Sequence, residues 1–348
     1  MKIGYYILKF WIKYSLYCYY GKIELRGTEN IPDDRPVFFL PNHQNALIDV
    51  LLIAVSCKRR PYFLTRSDVF TNPWFNRFFS YLQMMPVYRI RDGRDTIRQN
   101  DEIFARCARL LAQGEAIVIF PEANHNLKRR VRPLSNGFIR ILFKAQDLSP
   151  DLDVFMLPVG FNYIRATEFP DRVAVHYGDA LPLRKLFDGD DLAATTQRVK
   201  KAVKGQLMEL TTHIEDLGEY DHLAIQLDAK GVDYLNPEEV NATVARLAAG
   251  KPDSIEPKRR QKKIRTRLFF ALFCLLNLPI VLGWKFCLKR KVWEPEFMAT
   301  FRFAFALLAV PVYYLILGFC LALLINPQTA MIMVVGLFLL NWAYVKWA

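Results

Sequence analysis

Cysteine and acidic side chains are scarce in this chain, and low-complexity sequence is absent. Six cysteines (Cys18, Cys57, Cys107, Cys274, Cys287, Cys320) are spread over 348 residues, and no two stand as CxxC. That excludes a disulfide scaffold. Three of them fall in apolar C-terminal stretches, where a thiol serves as a small hydrophobe. An aromatic share of 14% and a hydrophobic share of 52% exclude a disordered protein. No internal repeat is visible, and no small-residue cleavage site follows the apolar N-terminus, so no cleaved signal peptide is expected. With 34 acidic against 47 basic residues the formal charge is +13. The excess is concentrated in one run: Lys258, Arg259, Arg260, Lys262, Lys263, Arg265 and Arg267. Neither a zinc finger nor an aromatic-interleaved RNA motif accompanies that run, so nucleic acid is not an expected partner. The run abuts an almost uncharged stretch, the pattern of a cytoplasmic membrane face.

Residues 1–20 are apolar and aromatic, interrupted by Lys2, Lys9 and Lys13 at roughly helical spacing. They read as an amphipathic helix lying in the membrane interface. Residues 21–187 alternate between strand and helix patterns. Strands are expected at 36–40, 60–64, 84–90, 116–120, 154–161 and 173–177. Helices are expected over 46–55, from a cap at Asp95 to Gly114, and over 134–145. This repetition predicts a sheet covered by helices. Residues 188–262 read as a polar helical extension and a basic linker. Over 263–348 come three apolar segments: 268–284, re-entrant or spanning, then 303–325 and 329–345, a transmembrane hairpin. The basic loops before residue 303 place the preceding chain in the cytoplasm.

Two constellations carry chemistry. Asn42-His43-Gln44-Asn45-Ala46-Leu47-Ile48-Asp49 follows a strand and opens an apolar helix. A neutral imidazole can take a proton from an alcohol near pH 7, and a carboxylate on its other nitrogen fixes the tautomer. Phe120-Pro121-Glu122-Ala123-Asn124-His125-Asn126 follows another strand, where ligands sit in open α/β sheets. Glu122 is suited to orient a polyol or an Arg side chain. Lys128, Arg129, Arg130 and Arg132 come next, and a further cluster pairs Pro86-Val87-Tyr88-Arg89 with Arg91 and Arg94. Such clusters suit a phosphate or another anion. Glu122 and His125 also have the E-x-x-H spacing of di-iron bundles. That motif needs two copies on helices, and here there is one, beside a proline after a strand. No metal is expected.

In this order N-H-x5-D, P-V-Y-R, F-P-E-x-x-H and Leu157-Pro158-Val159-Gly160 resemble the four blocks of the phospholipid/glycerol acyltransferase superfamily. The resemblance covers residues 42–160 and is nearest the H-x5-D branch similar to glycerol-3-phosphate/dihydroxyacetone-phosphate acyltransferases. It implies a glycerolipid acyltransferase fold: an α/β domain with a mixed, mostly parallel sheet flanked by helices, here with a C-terminal α-helical membrane region. It implies transfer of a fatty acyl group to a glycerol-phosphate hydroxyl, with His43 as base and Asp49 as its partner. Asn42, Arg89, Arg91, Glu122 and His125 are the expected substrate-binding residues. Ala123 replaces the usual Gly. Asn124-His125-Asn126 stands where many members have Thr-Arg-Ser, so the phosphate charge falls to Lys128, Arg130 or Arg132. No cofactor is implied beyond the acyl donor: acyl-CoA, acyl phosphate or an acyl carrier protein. The expected partners are the lipid bilayer, the donor and the glycerol phosphate acceptor. Acylation of lysophosphatidate at sn-2 and a non-catalytic lipid-binding scaffold are the alternatives to sn-1 transfer.

Overall fold

The computed structural model describes residues 2–70, 72–88, 98–189, 191–249 and 264–347. Strand β2 (Val37–Pro41) is buried at every position, because helices cover both faces of the sheet. Val37 and Phe39 join one apolar cluster, Phe38 and Leu40 the other. This is the period-2 alternation of a strand buried on both sides.

Around it lie β1 (Lys22–Arg26), β3 (Tyr62–Arg66), β4 (Met84–Val87), β5 (Ala116–Val118), β6 (Phe155–Tyr163), β7 (Arg172–Tyr177) and β8 (Leu181–Pro182). The sheet order is β1-β7-β6-β2-β5-β3-β4, with β8 on β6. From β6 to β4 the strands of that path are parallel; β7 runs antiparallel to β6 and carries β1 parallel to itself. The sheet is mixed and mostly parallel, as expected. One face is covered by α1 (Lys2–Tyr19) and α2 (Ala46–Ser56). The other is covered by α4 (Gln99–Ala112), α5 (Gly137–Leu148) and α6 (Leu192–Leu210). Helix α3 (Pro73–Tyr81) precedes β4.

Three elements escape the sequence patterns. Strand β1 (KIELR) carries charge at three of five positions and is nowhere buried. Strand β8 has two residues, and α3 begins at the proline of the Asn72-Pro73 pair. The expected cap at Asp95 lies outside the described residues. Helix α4 ends as anticipated, with Gly114 just beyond it at φ +80°.

The extension is more than polar helix. Helices α7 (Tyr220–Lys230) and α8 (Pro237–Ala248) build a small core from Leu223, Leu227, Val240 and Val244. The chain reaches it through Leu210, whose carbonyl oxygen would lie 2.3 Å from a Cβ at Gly160. Gly160 in β6 therefore admits the end of α6.

Helix α1 exposes Ile3, Ile7, Phe10, Tyr14 and Tyr17 and buries Tyr5, Leu16 and Tyr19. Lys9 Nζ turns inward and donates to the Cys57 carbonyl at the end of α2, at 2.6 Å.

The segment 268–284 is broken. Helix α9 (Ile264–Leu276) and α10 (Leu278–Leu282) meet at Asn277, and the two arms are bent by 91°. Asn277 and Asn341 exchange amide hydrogen bonds of 2.7 and 2.9 Å, and Tyr314 Oη lies 2.8 Å from Asn341 Nδ2. Among the described residues, two helices are long and apolar enough to cross a membrane: α11 (Met298–Leu324) and α12 (Pro327–Trp347). The 27 residues of α11 rise about 40 Å at ~1.5 Å each, more than a hydrocarbon core of about 30 Å. Its start, earlier than the expected residue 303, packs into the domain core through Ala299 and Phe303. At the far end of the hairpin, Lys346 Nζ of α12 donates to the Tyr17 and Tyr20 carbonyls behind α1.

Candidate active site

Strands β2 and β5 are adjacent and parallel, so the loops that leave them open at the same end of the sheet. The first loop carries His43 and the second carries Glu122 and His125. They are tied together by Asn126 N–H donating to the His43 carbonyl at 3.0 Å.

His43 Nδ1 lies 2.9 Å from Asp49 Oδ2. The carboxylate accepts there, so Nδ1 carries a proton, and in the neutral ring Nε2 keeps its lone pair. Asp49 is fully buried in the first turn of α2. The same Oδ2 accepts from the Gln44 and Asn45 N–H groups at 2.9 and 2.8 Å, and Oδ1 accepts from Tyr163 Oη at 2.6 Å. Burial, and next the adjoining Asp49 charge, raise the Tyr163 pKa well above the usual phenol range. Tyr163 therefore stays a donor. The five-residue gap between His43 and Asp49 is absorbed where the loop turns into the helix, at Ala46 with φ +40°. His43 stacks on Phe120, with ring centroids 3.9 Å apart.

The other expected residues that the structure describes have definite places. Asn42 accepts from Phe161 N–H at 2.7 Å and donates to the Phe161 carbonyl at 3.3 Å. Its amide ties the loop to β6. Glu122 Oε2 accepts from Arg132 Nε at 2.9 Å, and Oε1 from Arg132 N–H at 3.3 Å. Burial raises the Glu122 pKa, and Arg132 opposes the shift. Glu122 thus orients an arginine, and Arg132 also donates to the Asn124 carbonyl. Ala123 adopts φ +61°, the left-handed conformation that glycine takes without cost. Lys128 sits over the Tyr220 ring at 4.7 Å and Arg129 over Tyr234 at 3.5 Å, against the helical extension. Arg130 N–H closes a tight turn onto the Lys128 carbonyl at 2.9 Å. Arg89, Arg91 and Arg94 lie outside the described residues.

His125 is buried, with its ring 5.6 Å from that of His43. Its Nε2 lies 2.7 Å from Glu294 Oε2, a residue from just before α11. Burial lowers the His125 pKa and Glu294 opposes the shift. Ligand atoms of His125, Glu294 and Glu296 all lie within 4.8 Å of one another, a donor set of the kind a divalent cation takes. Glu122 faces away from this set toward Arg132, so the E-x-x-H residues share no partner here.

A cavity of about 590 Å³ opens beside His43. Ala46, Leu47, Val50, Leu64, Met84 and Phe104 make much of its lining apolar. Trp293, Phe297 and Phe301 contribute to it as well. Tyr163 and residues 293–301 escaped the sequence reading: each contacts the site from far along the chain, with no local motif to mark it.

Comparison with known proteins bears on the same residues. Residues 22–162 match the family described as Acyltransferase. Glycerol-3-phosphate O-acyltransferase 1 of Saccharomyces cerevisiae is 30% identical over 83 residues, 24% of this chain and 11% of its own. An uncharacterized acyltransferase of Schizosaccharomyces pombe is 23% identical over 118 residues, 33% of this chain and 18% of its own. A 1-acyl-sn-glycerol-3-phosphate acyltransferase of Chlamydomonas reinhardtii is 26% identical over 126 residues, 36% of each chain. The chain thus spans from about a tenth to just over a third of these relatives' lengths. The crystal structure of the 1-acyl-sn-glycerophosphate acyltransferase PlsC from Thermotoga maritima overlaps 56% of this chain and 74% of its own, at 22% identity and a TM-score of 0.40. The matched region, which resembles the Acyltransferase family, holds the His43–Asp49 pair, Glu122 and the strands that carry them.

Proposed function

We propose that the protein is a membrane-bound acyltransferase that moves a fatty acyl group from an acyl thioester or acyl phosphate to the sn-1 hydroxyl of glycerol-3-phosphate or dihydroxyacetone phosphate. The observation that carries this reading is the His43–Asp49 pair at the edge of a largely apolar cavity. His43 Nε2 takes the proton as the acceptor hydroxyl attacks the acyl carbonyl. Asp49, held by two backbone N–H groups and Tyr163, stabilises the imidazolium. The C–O bond forms, the bond to the leaving thiolate or phosphate breaks, and the proton passes to that leaving group. Base catalysis is worth about 10²–10⁴ in rate; positioning of donor and acceptor supplies the rest. Arg132, with Lys128, Arg130 and the Arg89 and Arg91 cluster, provides cations for the acceptor phosphate.

The sn-1 assignment is supported by the similarity to the yeast glycerol-3-phosphate acyltransferase. The similarity to the Chlamydomonas protein favours sn-2 acylation of lysophosphatidate as the second reading. The exposed aromatic face of α1 and the α11–α12 hairpin suit an integral membrane protein, and the basic runs before residue 303 favour a site on the cytoplasmic face. An acidic acyl carrier protein fits the basic charge as a donor. The test offers purified protein a labelled acyl donor with glycerol-3-phosphate, dihydroxyacetone phosphate and lysophosphatidate in turn. An sn-1 acylated product from the first or second supports the reading. Product from lysophosphatidate alone replaces it with the sn-2 reading.

A further inference from the structure

The cavity beside His43 is not closed by the acyltransferase domain alone. A line of aromatic rings runs away from the imidazole. The His125 ring is 5.6 Å from His43, Phe297 is 4.8 Å from His125, and Trp293 and Phe301 are 5.6 and 6.3 Å from Phe297. Trp293 and Phe301 also meet edge to face at 5.6 Å. These three residues belong to the lead-in and first turn of α11, more than a hundred residues beyond the matched region 22–162.

The segment is anchored to the domain at several points. Glu294 reaches His125 at 2.7 Å. Arg302 Nη2 donates to the Thr167 carbonyl at 2.9 Å. Ala299 and Phe303 are buried in the core cluster that includes α2. The wall is therefore fixed relative to His43, and the same helix continues into the span.

We propose that residues 293–301 form the far wall of the acyl-donor pocket, with Trp293, Phe297 and Phe301 setting the length of acyl chain accepted. The proposal rests on the acyltransferase reading above and names the part of the chain that gives it chain-length selectivity. The occupant follows from chemistry. The pocket is lined by aliphatic and aromatic side chains, begins at the proposed base, and abuts a helix that enters hydrocarbon. An acyl chain with its carbonyl at His43 and its tail along the rings meets all three conditions. At about 590 Å³ the space lies within the roughly 300–1,000 Å³ of ligand pockets. Each methylene that gains or loses burial changes preference by about fourfold. Phe297→Ala and Phe301→Ala open the wall.

Two measurements test this. In the first, full-length protein in vesicles receives an equimolar mixture of acyl-CoA donors from lauroyl to arachidoyl, with glycerol-3-phosphate. Phe297→Ala and Phe301→Ala should shift product toward longer chains by at least fourfold in ratio. An unchanged chain distribution in active variants overturns the proposal. The second uses the folded wild-type protein and needs no turnover. A palmitoyl-CoA with a photoreactive diazirine at its terminal carbon is crosslinked, and the labelled peptide is identified. Label on residues 293–301, competed by unmodified palmitoyl-CoA, supports the wall. Competed label confined to other peptides refutes it. If labelling is as expected but wild-type protein transfers no acyl group, the acyltransferase reading fails while the pocket assignment stands.

Discussion

Asp49 receives hydrogen bonds from His43, from two backbone N–H groups and from Tyr163. The first three come from the same short loop, which is why the pair was legible in the sequence; Tyr163 lies 114 residues away and left no such trace. Asp49→Asn should lower kcat by about 10²–10⁴, because the amide can bind the wrong imidazole tautomer. Acceptor KM should change little, and steady-state kinetics check both. Tyr163→Phe should lower kcat more mildly, by about tenfold, since it leaves a buried carboxylate oxygen unpaired. Asn42, a substrate contact on the resemblance alone, has both ends of its amide engaged by Phe161. Ala123 at φ +61° explains why glycine is usual there. Ala123→Gly should stabilise the fold by up to about 1 kcal/mol in a denaturant titration. Asp171 is a separate pH sensor of stability. Burial raises its pKa to about 6, and its Oδ2 has no hydrogen-bond partner among the described residues. The folded state then holds a proton that the unfolded chain releases from about pH 4 upward, so stability falls as pH rises from there to about 6. Asp171→Asn should abolish that decline. Relative to wild type, its advantage should grow across the window to about 3 kcal/mol at most, read by chemical unfolding at stepped pH.

Buried parallel strands such as β2 and β6 were visible as apolar runs because both faces lie under helices. Strand β1 was not, because edge exposure let it keep Lys22, Glu24 and Arg26. Gly160 shows how one position couples elements. A Cβ there would lie 2.3 Å from the Leu210 carbonyl oxygen at the end of α6. Gly160→Ala should destabilise by about 1–3 kcal/mol as α6 is pushed off β6, measured as a lowered thermal midpoint. Asn162 bonds to the same region, donating to Leu210 O and accepting from Thr212 N–H. The apolar segment at 268–284 could be recognised by composition alone. Pro279 marked a break in it, and the 91° bend falls beside that proline, whereas the pairing of Asn277 with Asn341, 64 residues on, left no trace in the sequence.

At the scale of the whole molecule, the α11–α12 hairpin packs against the α/β domain at both of its ends. Helix α11 starts in the domain core, and α12 ends with Lys346 against α1. Both ends of the hairpin therefore lie on the domain's side, and the turn at Ile325–Asn326 lies on the other. Cysteines introduced at that turn should be labelled only from the side opposite the domain; labelling from the domain's side would mean that the hairpin does not cross. Truncation before residue 264 should remove the pocket wall along with the spans, with α1 retaining part of the protein on membranes. The central claim, acyl transfer with His43 as base, is tested most directly by comparing turnover of wild-type protein and His43→Ala, both folded and in vesicles, with labelled acyl-CoA and glycerol-3-phosphate. The account predicts acyl-glycerol phosphate from the wild type and a rate lower by about 10²–10⁴ in the variant. Wild-type turnover in His43→Ala would contradict it.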